Sequence, residues 1–270
     1  KMISYAGDTK QVSEHDVDFQ TCDIVYCFGE ERHPMTAADC AFFLTAENGL
    51  PVQDEKGSFV LDEEAVTAYV QSLAEEYDGY GRTRQFHSTR GDVITIDGGT
   101  YGSKMDRKKE TAYLLEHLLD PGVHTGTPQS HIPSYEREAF CYGKNDIGDT
   151  YIEVDMTEQK MYYYEKGVLK LETEIVTGNM RRRMGTPEGV NFVYNKQKNR
   201  VLRGPGYASP VKFWMPVKGG IGIHDAGWRK EFGGDIYQTA GSHGCINTPK
   251  DKMEELFDCV QIGTPVVMFY

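Results

Sequence analysis

The sequence predicts an α+β protein of two domains: a mixed α/β domain over residues 1–126, a linker region over 127–149, and a mainly antiparallel, sandwich-like β domain over 150–270. Three observations predict it. Apolar residues recur at helical spacing in the first half, whereas the second half alternates apolar and polar residues as half-buried strands do. Charge divides the same way: residues 1–126 hold 11 Lys/Arg against 23 Asp/Glu, and residues 127–270 hold 18 of each. At 270 residues, the chain is long enough to bury a core in each half.

The elements run in order along the chain. Thr36 and Asp39 read as a capping box opening a short helix that ends near Asn48 and Gly49. A stronger helix starts near Asp62, with Ala65, Val66, Tyr69, Val70, Leu73 and Tyr77 on one face. Val93 to Ile96 is a β-type run closed by Asp97, Gly98 and Gly99 as turn signal. A third helix carries Tyr113, Leu114, Leu115, Leu118 and Leu119 and stops at Pro121 and Gly122. Residues 120–134 hold three Pro, two Gly and two His with little periodicity, which marks linker. Beyond it, runs at 151–154, 161–164 and 168–176 read as strands, with Leu169, Leu171 and Ile175 facing one way. Thr248, Pro249 and Asp251 supply an N-cap, a first-position proline and an acidic third residue for a helix packing Met253, Leu256 and Phe257. The last strand is 266–270.

Composition narrows the function. No apolar run approaches a membrane span, and 39% apolar with 26% charged residues is a globular balance. An acidic half beside a neutral one offers no basic face, which argues against nucleic acid as a partner. Six cysteines contain no CxxC. Cys22 and Cys27 are spaced to bridge in an oxidising compartment, and Cys40 and Cys259 read as small buried hydrophobes.

The informative stretch ends in His224 and resumes 18 residues later as Ser242, His243, Gly244, Cys245, Ile246 and Asn247. A thiol attacks well only as thiolate, and a nearby imidazole is the usual proton acceptor. His224 ends a β-type run and His243 lies two residues before Cys245, so both are candidates. Gly244 lets a substrate carbonyl approach, and the N–H groups of His243, Gly244 and Cys245 can converge as an oxyanion hole. The predicted helix start at Thr248 would favour thiolate at Cys245 if its positive end points there. Zinc ligation by the two histidines and the cysteine is the chemical competitor. His-x-Cys is unusual spacing for structural zinc, and no fourth ligand stands out.

Together these residues resemble the L,D-transpeptidase (YkuD) family, whose motif closes on Ser/Thr-His-Gly-Cys-x-Asn after a spaced histidine. Thr177 and Gly178, Gly185 to Gly189, and Gly263 to Val267 also match, so the resemblance spans about residues 150–270. Asp97 to Gly102, before an acidic helix, resembles the peptidoglycan-binding domain that often precedes the catalytic one.

The resemblance implies that Cys245 attacks the carbonyl of the third residue of a peptidoglycan stem tetrapeptide and that D-Ala leaves. The thioester then passes to the side-chain amine of another stem, closing a 3→3 cross-link. No metal, nucleotide or ATP is needed, so no cofactor is expected. His224 would be the base, its imidazole held by the backbone carbonyl of Asp225. Relatives often carry Ser there, and the Asp225 carboxylate would raise the His224 pKa. His243 is the second candidate for the base, with Ser242 and Asn247 fixing the loop. Residues 225–241, including Trp228, Phe232 and Tyr237 among four glycines, correspond to a substrate lid. Carbapenem β-lactams are expected inhibitors. Work on the wall implies an extracytoplasmic protein, in the cell wall or membrane-anchored by a segment outside this chain. Two other readings remain: an L,D-carboxypeptidase that uses the same residues and passes the thioester to water, and a non-catalytic wall-binding protein, against which the intact His224, His243 and Cys245 set speaks.

Overall fold

In the computed structural model, which describes residues 21–204 and 207–270, the chain divides into two units that interleave along the sequence. Among the described residues, one takes 21–77 together with Met105–Glu136, and the other takes Asp78–Lys104 and Arg137–Tyr270.

In the first unit, helix Ala37–Phe42 opens at the predicted capping box. The Thr36 hydroxyl accepts from Asp39 N at 3.2 Å, and the Asp39 carboxylate accepts from Thr36 N at 2.7 Å. The helix stops at Phe42. Asn48 and Gly49, at φ 52° and 80°, instead form the two-residue turn between strands Ala46–Glu47 and Leu50–Pro51, a geometry Asn-Gly favours. Helix Glu63–Tyr77 buries Val66, Val70, Leu73 and Tyr77 on the expected stripe and packs along helix Arg107–His117, which buries Leu114. Their apolar faces join Tyr26, Phe28 and Phe43 in one core. A three-stranded sheet completes the unit in the order Glu31–Pro34, Ile24–Phe28, Gln129–His131, the last pairing parallel.

That third strand corrects the linker expected over 127–149. Gln129–His131 is part of the sheet. The buried Glu110 carboxylate fixes its end, meeting His131 Nε2 at 2.6 Å and accepting from Ser134 N at 2.7 Å. Three polar residues paired to a distant strand leave no local periodicity to read. Cys22 and Cys27 are both free thiols, and Cys27 donates to Val25 O at 3.5 Å. Cys40 is buried as predicted, but Cys259 is exposed.

The second unit stacks two sheets. One runs Val168–Glu174, Lys160–Glu165, Tyr151–Asp155, Pro265–Phe269, Gly189–Phe192, antiparallel except between Tyr151–Asp155 and Pro265–Phe269. The other runs Gln197–Gly204, Tyr207–Lys218, Ile221–Asp225, Ile246–Thr248, with only the last pair parallel. Ile152, Val154, Met161 and Leu171 from the first meet Phe213, Met215, Ile223 and Ile246 from the second. Helix Lys250–Cys259 adds Met253, Leu256 and Phe257 to this core, so the predicted sandwich with one packed helix is present. Two details differ. Leu169 is 43% exposed, because Lys170 is an extra residue where Tyr163 pairs with Leu171 and Tyr164 with Leu169, and this bulge turns Leu169 outward. Thr248 belongs to a strand, paired with Asp225, so the helix caps one residue later at Pro249.

A contiguous boundary at 126 also fails, for a physical reason. Residues 78–104 dock on strand Gly189–Phe192 of the second unit. Tyr101 N donates to Val190 O at 3.0 Å, and a Cβ on Gly99 would fall 2.0 Å from that carbonyl, so the approach requires glycine. Buried Arg84 pairs with buried Asp146 at 2.6 Å and 2.8 Å and donates to Gly79 O. Among the described residues no helix is long and apolar enough to cross a membrane.

Candidate active site

The strand Ile221–Asp225 sits between Tyr207–Lys218 and Ile246–Thr248, and its register sets the site. Parallel pairing places Ile223 beside Ile246 and His224 beside Asn247, so Cys245 lies immediately before its strand, level with the start of the histidine strand. The Cys245 thiol donates to Gly220 O at 3.7 Å. His224, Cys245, Asn247, Ser242, His243, Trp228 and Arg229 line one cleft.

His224 is 4% exposed, and the rings of Trp214 and Trp228 each lie 5.9 Å from its own, centroid to centroid. Its Nδ1 donates to Asp225 O at 2.9 Å, and its Nε2 accepts from Asn247 Nδ2 at 3.1 Å. The backbone carbonyl of Asp225 is therefore where the sequence reading put it. The Asp225 carboxylate is turned away, accepting from Lys212 N at 2.8 Å and Phe213 N at 2.7 Å in the neighbouring strand. Its charge pulls the imidazole pKa upward, but burial is the larger effect and the His224 pKa is lowered. The upward pull expected of Asp225 is thus present but outweighed. Burial likewise pushes the Cys245 thiol up, and the residues between the thiol and the following helix are a strand.

The cysteine loop is shaped by hydroxyl latches. Ser242 Oγ donates to Cys245 O at 2.5 Å and accepts from Gly244 N at 3.0 Å. Gly244 stands at φ 114°, a conformation that favours glycine. Its carbonyl accepts from Thr186 Oγ1 at 2.7 Å, while that oxygen accepts from Gly178 N at 2.9 Å. Since Gly244 N–H is directed at Ser242, the three-amide oxyanion hole expected from sequence is not assembled from all three groups. His243 stands exposed on the cleft wall.

The covering segment is tied down at several points. Gly233 N donates to Ile175 O at 2.9 Å, and Tyr237 O accepts from Met180 N at 3.2 Å. Trp228 is 53% exposed at the cleft, whereas Tyr237, half-buried in helix Ile236–Ala240, is not among the residues that line it. Sequence reasoning missed Arg229, which donates to Asn247 Oδ1 at 2.7 Å and to Ala240 O at 2.9 Å. It also gave Thr186 no role, though Gly185 to Gly189 had been singled out. Among the described residues no group of three or more His, Cys, Asp or Glu is arranged to hold a metal ion.

Residues 149–268 match the family model of the L,D-transpeptidase catalytic domain, YkuD. Residues 46–122 match PG_binding_4, a peptidoglycan binding domain by description, and that match runs across residues 78–104 of the second unit. No curated protein matches the chain. The crystal structure of the Enterococcus faecium L,D-transpeptidase, as a cysteine-to-serine mutant, is 35% identical over 93% of this chain and 96% of that one, with a TM-score of 0.79. The carbamoyl enzyme that Ldtfm forms with avibactam is 36% identical over 93% of this chain and 95% of that one, again at 0.79. The ertapenem-acylated catalytic domain from E. faecium is 51% identical over 45% of this chain and 98% of that one, with a TM-score of 0.42. By near-complete mutual coverage at this identity, the chain belongs to the L,D-transpeptidase family and is a transpeptidase enzyme.

Proposed function

We propose that this transpeptidase cross-links peptidoglycan stems 3→3 through a thioester on Cys245, with His224 as the base. One observation carries the reading: the parallel register brings Cys245 and a buried, singly oriented His224 into one cleft. The Cys245 proton passes to His224 Nε2 as Sγ bonds to the carbonyl carbon of the third stem residue. The tetrahedral oxyanion is stabilised by the backbone N–H groups of Cys245 and His243, Cys245 foremost. Collapse breaks the bond to D-Ala nitrogen, which takes the proton from His224, and the thioester remains. The side-chain amine of a second stem then attacks the thioester, the new amide forms, and the thiol is restored with its proton. One amide is exchanged for another, so the chemistry calls on no cofactor.

Asn247 must release Nε2 for this to proceed, since its N–H occupies the lone pair that takes the proton. A strained lactam carbonyl suits the same nucleophile and amides, and a relative 36% identical forms a carbamoyl enzyme with avibactam. Carbapenems should therefore acylate Cys245. Action on stems places the enzyme outside the cytoplasm, in the wall or membrane-anchored.

Purified tetrapeptide stems, incubated alone and with a stem carrying a free side-chain amine, test the function by mass spectrometry. The expected product is a dimer lacking one D-Ala. Tripeptide alone, whatever the acceptor concentration, would make the enzyme an L,D-carboxypeptidase.

A further inference from the structure

The buried amide of Asn247 is shared between two groups, and the chemistry of those groups leaves it one orientation. Arg229 Nε lies 2.7 Å from Oδ1, and His224 Nε2 lies 3.1 Å from Nδ2. A guanidinium carries donors only, so the amide oxygen must face Arg229. The NH2 group then faces the imidazole, and because it can only donate, Nε2 must present a lone pair. The proton belongs on Nδ1. Asp225 O, which can only accept, lies 2.9 Å from Nδ1 and demands the same tautomer from the other side.

Arg229 does a second thing with the same head group. Its Nη2 donates to Ala240 O at 2.9 Å, at the end of helix Ile236–Ala240 and just before the 242–245 loop. Its own N–H is turned into Ala226 O at 2.9 Å, close behind the histidine strand. One side chain thus joins the partner of the imidazole to the far end of the covering segment.

We propose that Arg229 is a positioning residue that holds His224 in the Nδ1–H tautomer through Asn247 and ties the covering segment to that same amide. The inference rests on His224 being the base, since only then does the tautomer decide whether a thiol proton has somewhere to go. Remove the donor-only partner and Asn247 is able to turn over. Its oxygen would then face the ring and draw a proton onto Nε2, the atom that must be bare. Sequence inspection passes over this residue because an arginine in a glycine-rich loop reads as solvated charge.

The test is imidazole 15N NMR on the intact chain at pH 8, where a neutral ring reports its tautomer directly. Wild type should show a protonated Nδ1 and a bare Nε2 for His224. Arg229→Gln, whose amide can offer either an oxygen or an NH2 group to Asn247, should show signal from protonated Nε2 and a drop of about 10²-fold in the rate of Cys245 acylation. Arg229→Lys keeps a donor-only head and should keep the tautomer. Asn247→Asp retains the bond to Arg229 while turning an acceptor toward the ring, so it should protonate Nε2 in a folded protein. A bare Nε2 in both Arg229→Gln and Asn247→Asp would overturn the proposal. The nitrogen signals do not depend on which residue takes the thiol proton, so this failure is distinct from finding that His224→Ala acylates as fast as wild type.

Discussion

The histidine strand and the cysteine loop reach one cleft by opposite means. His224 is buried close to two tryptophan rings, and the β ladder supplies both its ring partners, Asp225 O in its own strand and Asn247 in the strand alongside. Residues 242–245 are shaped by side-chain latches, Ser242 from within and Thr186 from outside, around a glycine at φ 114° with an exposed histidine beside it. The first is fixed by long-range pairing and the second by a few local hydrogen bonds. Substitutions in the histidine strand should therefore change the chemistry, and substitutions in the loop should loosen geometry by degrees.

The largest effect lies at the point where the two regions meet. Cys245→Ala should abolish turnover with unfolding temperature unchanged, while Cys259→Ala, exposed on the last helix, should keep most activity. Product from Cys245→Ala at a rate comparable to wild type would remove the nucleophile. His224→Ala comes next. Losing a base costs on the order of 10²–10⁴-fold, read as the rate of acylation by a tetrapeptide stem.

Acidity sharpens the same contrast. Burial disfavours both charged forms, lowering His224 and raising Cys245, so the resting pair is neutral. As pH falls, the imidazole keeps its lone pair below the ordinary histidine value of about 6.5, and acylation should persist to correspondingly lower pH. As pH rises, alkylation of Cys245 by iodoacetamide should show a midpoint above the ordinary thiol value of about 8.5. An alkylation midpoint near neutrality would show a resting thiolate–imidazolium pair instead.

Smaller effects belong to the loop. Ser242→Ala removes two hydrogen bonds worth about 1 kcal/mol each, which corresponds to about thirtyfold in acylation rate if both hold the reactive geometry. His243→Ala should cost less than tenfold, because its ring stands exposed on the cleft wall whereas that of His224 is buried. A loss in His243→Ala larger than in His224→Ala would reverse the two regions and make His243 the base.

What the sequence disclosed divides in the same way between local and distant. Thr36 and Asp39, the stripe of Glu63–Tyr77 and the Cys245 motif are written within a few residues, and the structure has them where spacing put them. The Asp225 carbonyl was foreseeable because it adjoins the histidine. Other features depend on partners far along the chain. Gln129–His131 looked like linker because its ladder partner is Ile24–Phe28, and residues 78–104 join the second unit through a close approach at Gly99 that periodicity does not encode. Arg229 gains its role only when Asn247 is brought against it. Burial of Cys245, which pushes its thiol up, is a property of the folded cleft and is not written in the adjacent sequence.

The most direct test of Cys245 as nucleophile is intact-mass measurement after incubation with a carbapenem, on wild type and Cys245→Ala in parallel. Wild type should gain the full mass of one carbapenem, with the adduct mapped to Cys245 on digestion, and Cys245→Ala should gain nothing. A covalent adduct of equal yield on both proteins would contradict Cys245 as the nucleophile and, with it, the mechanism built on its thioester.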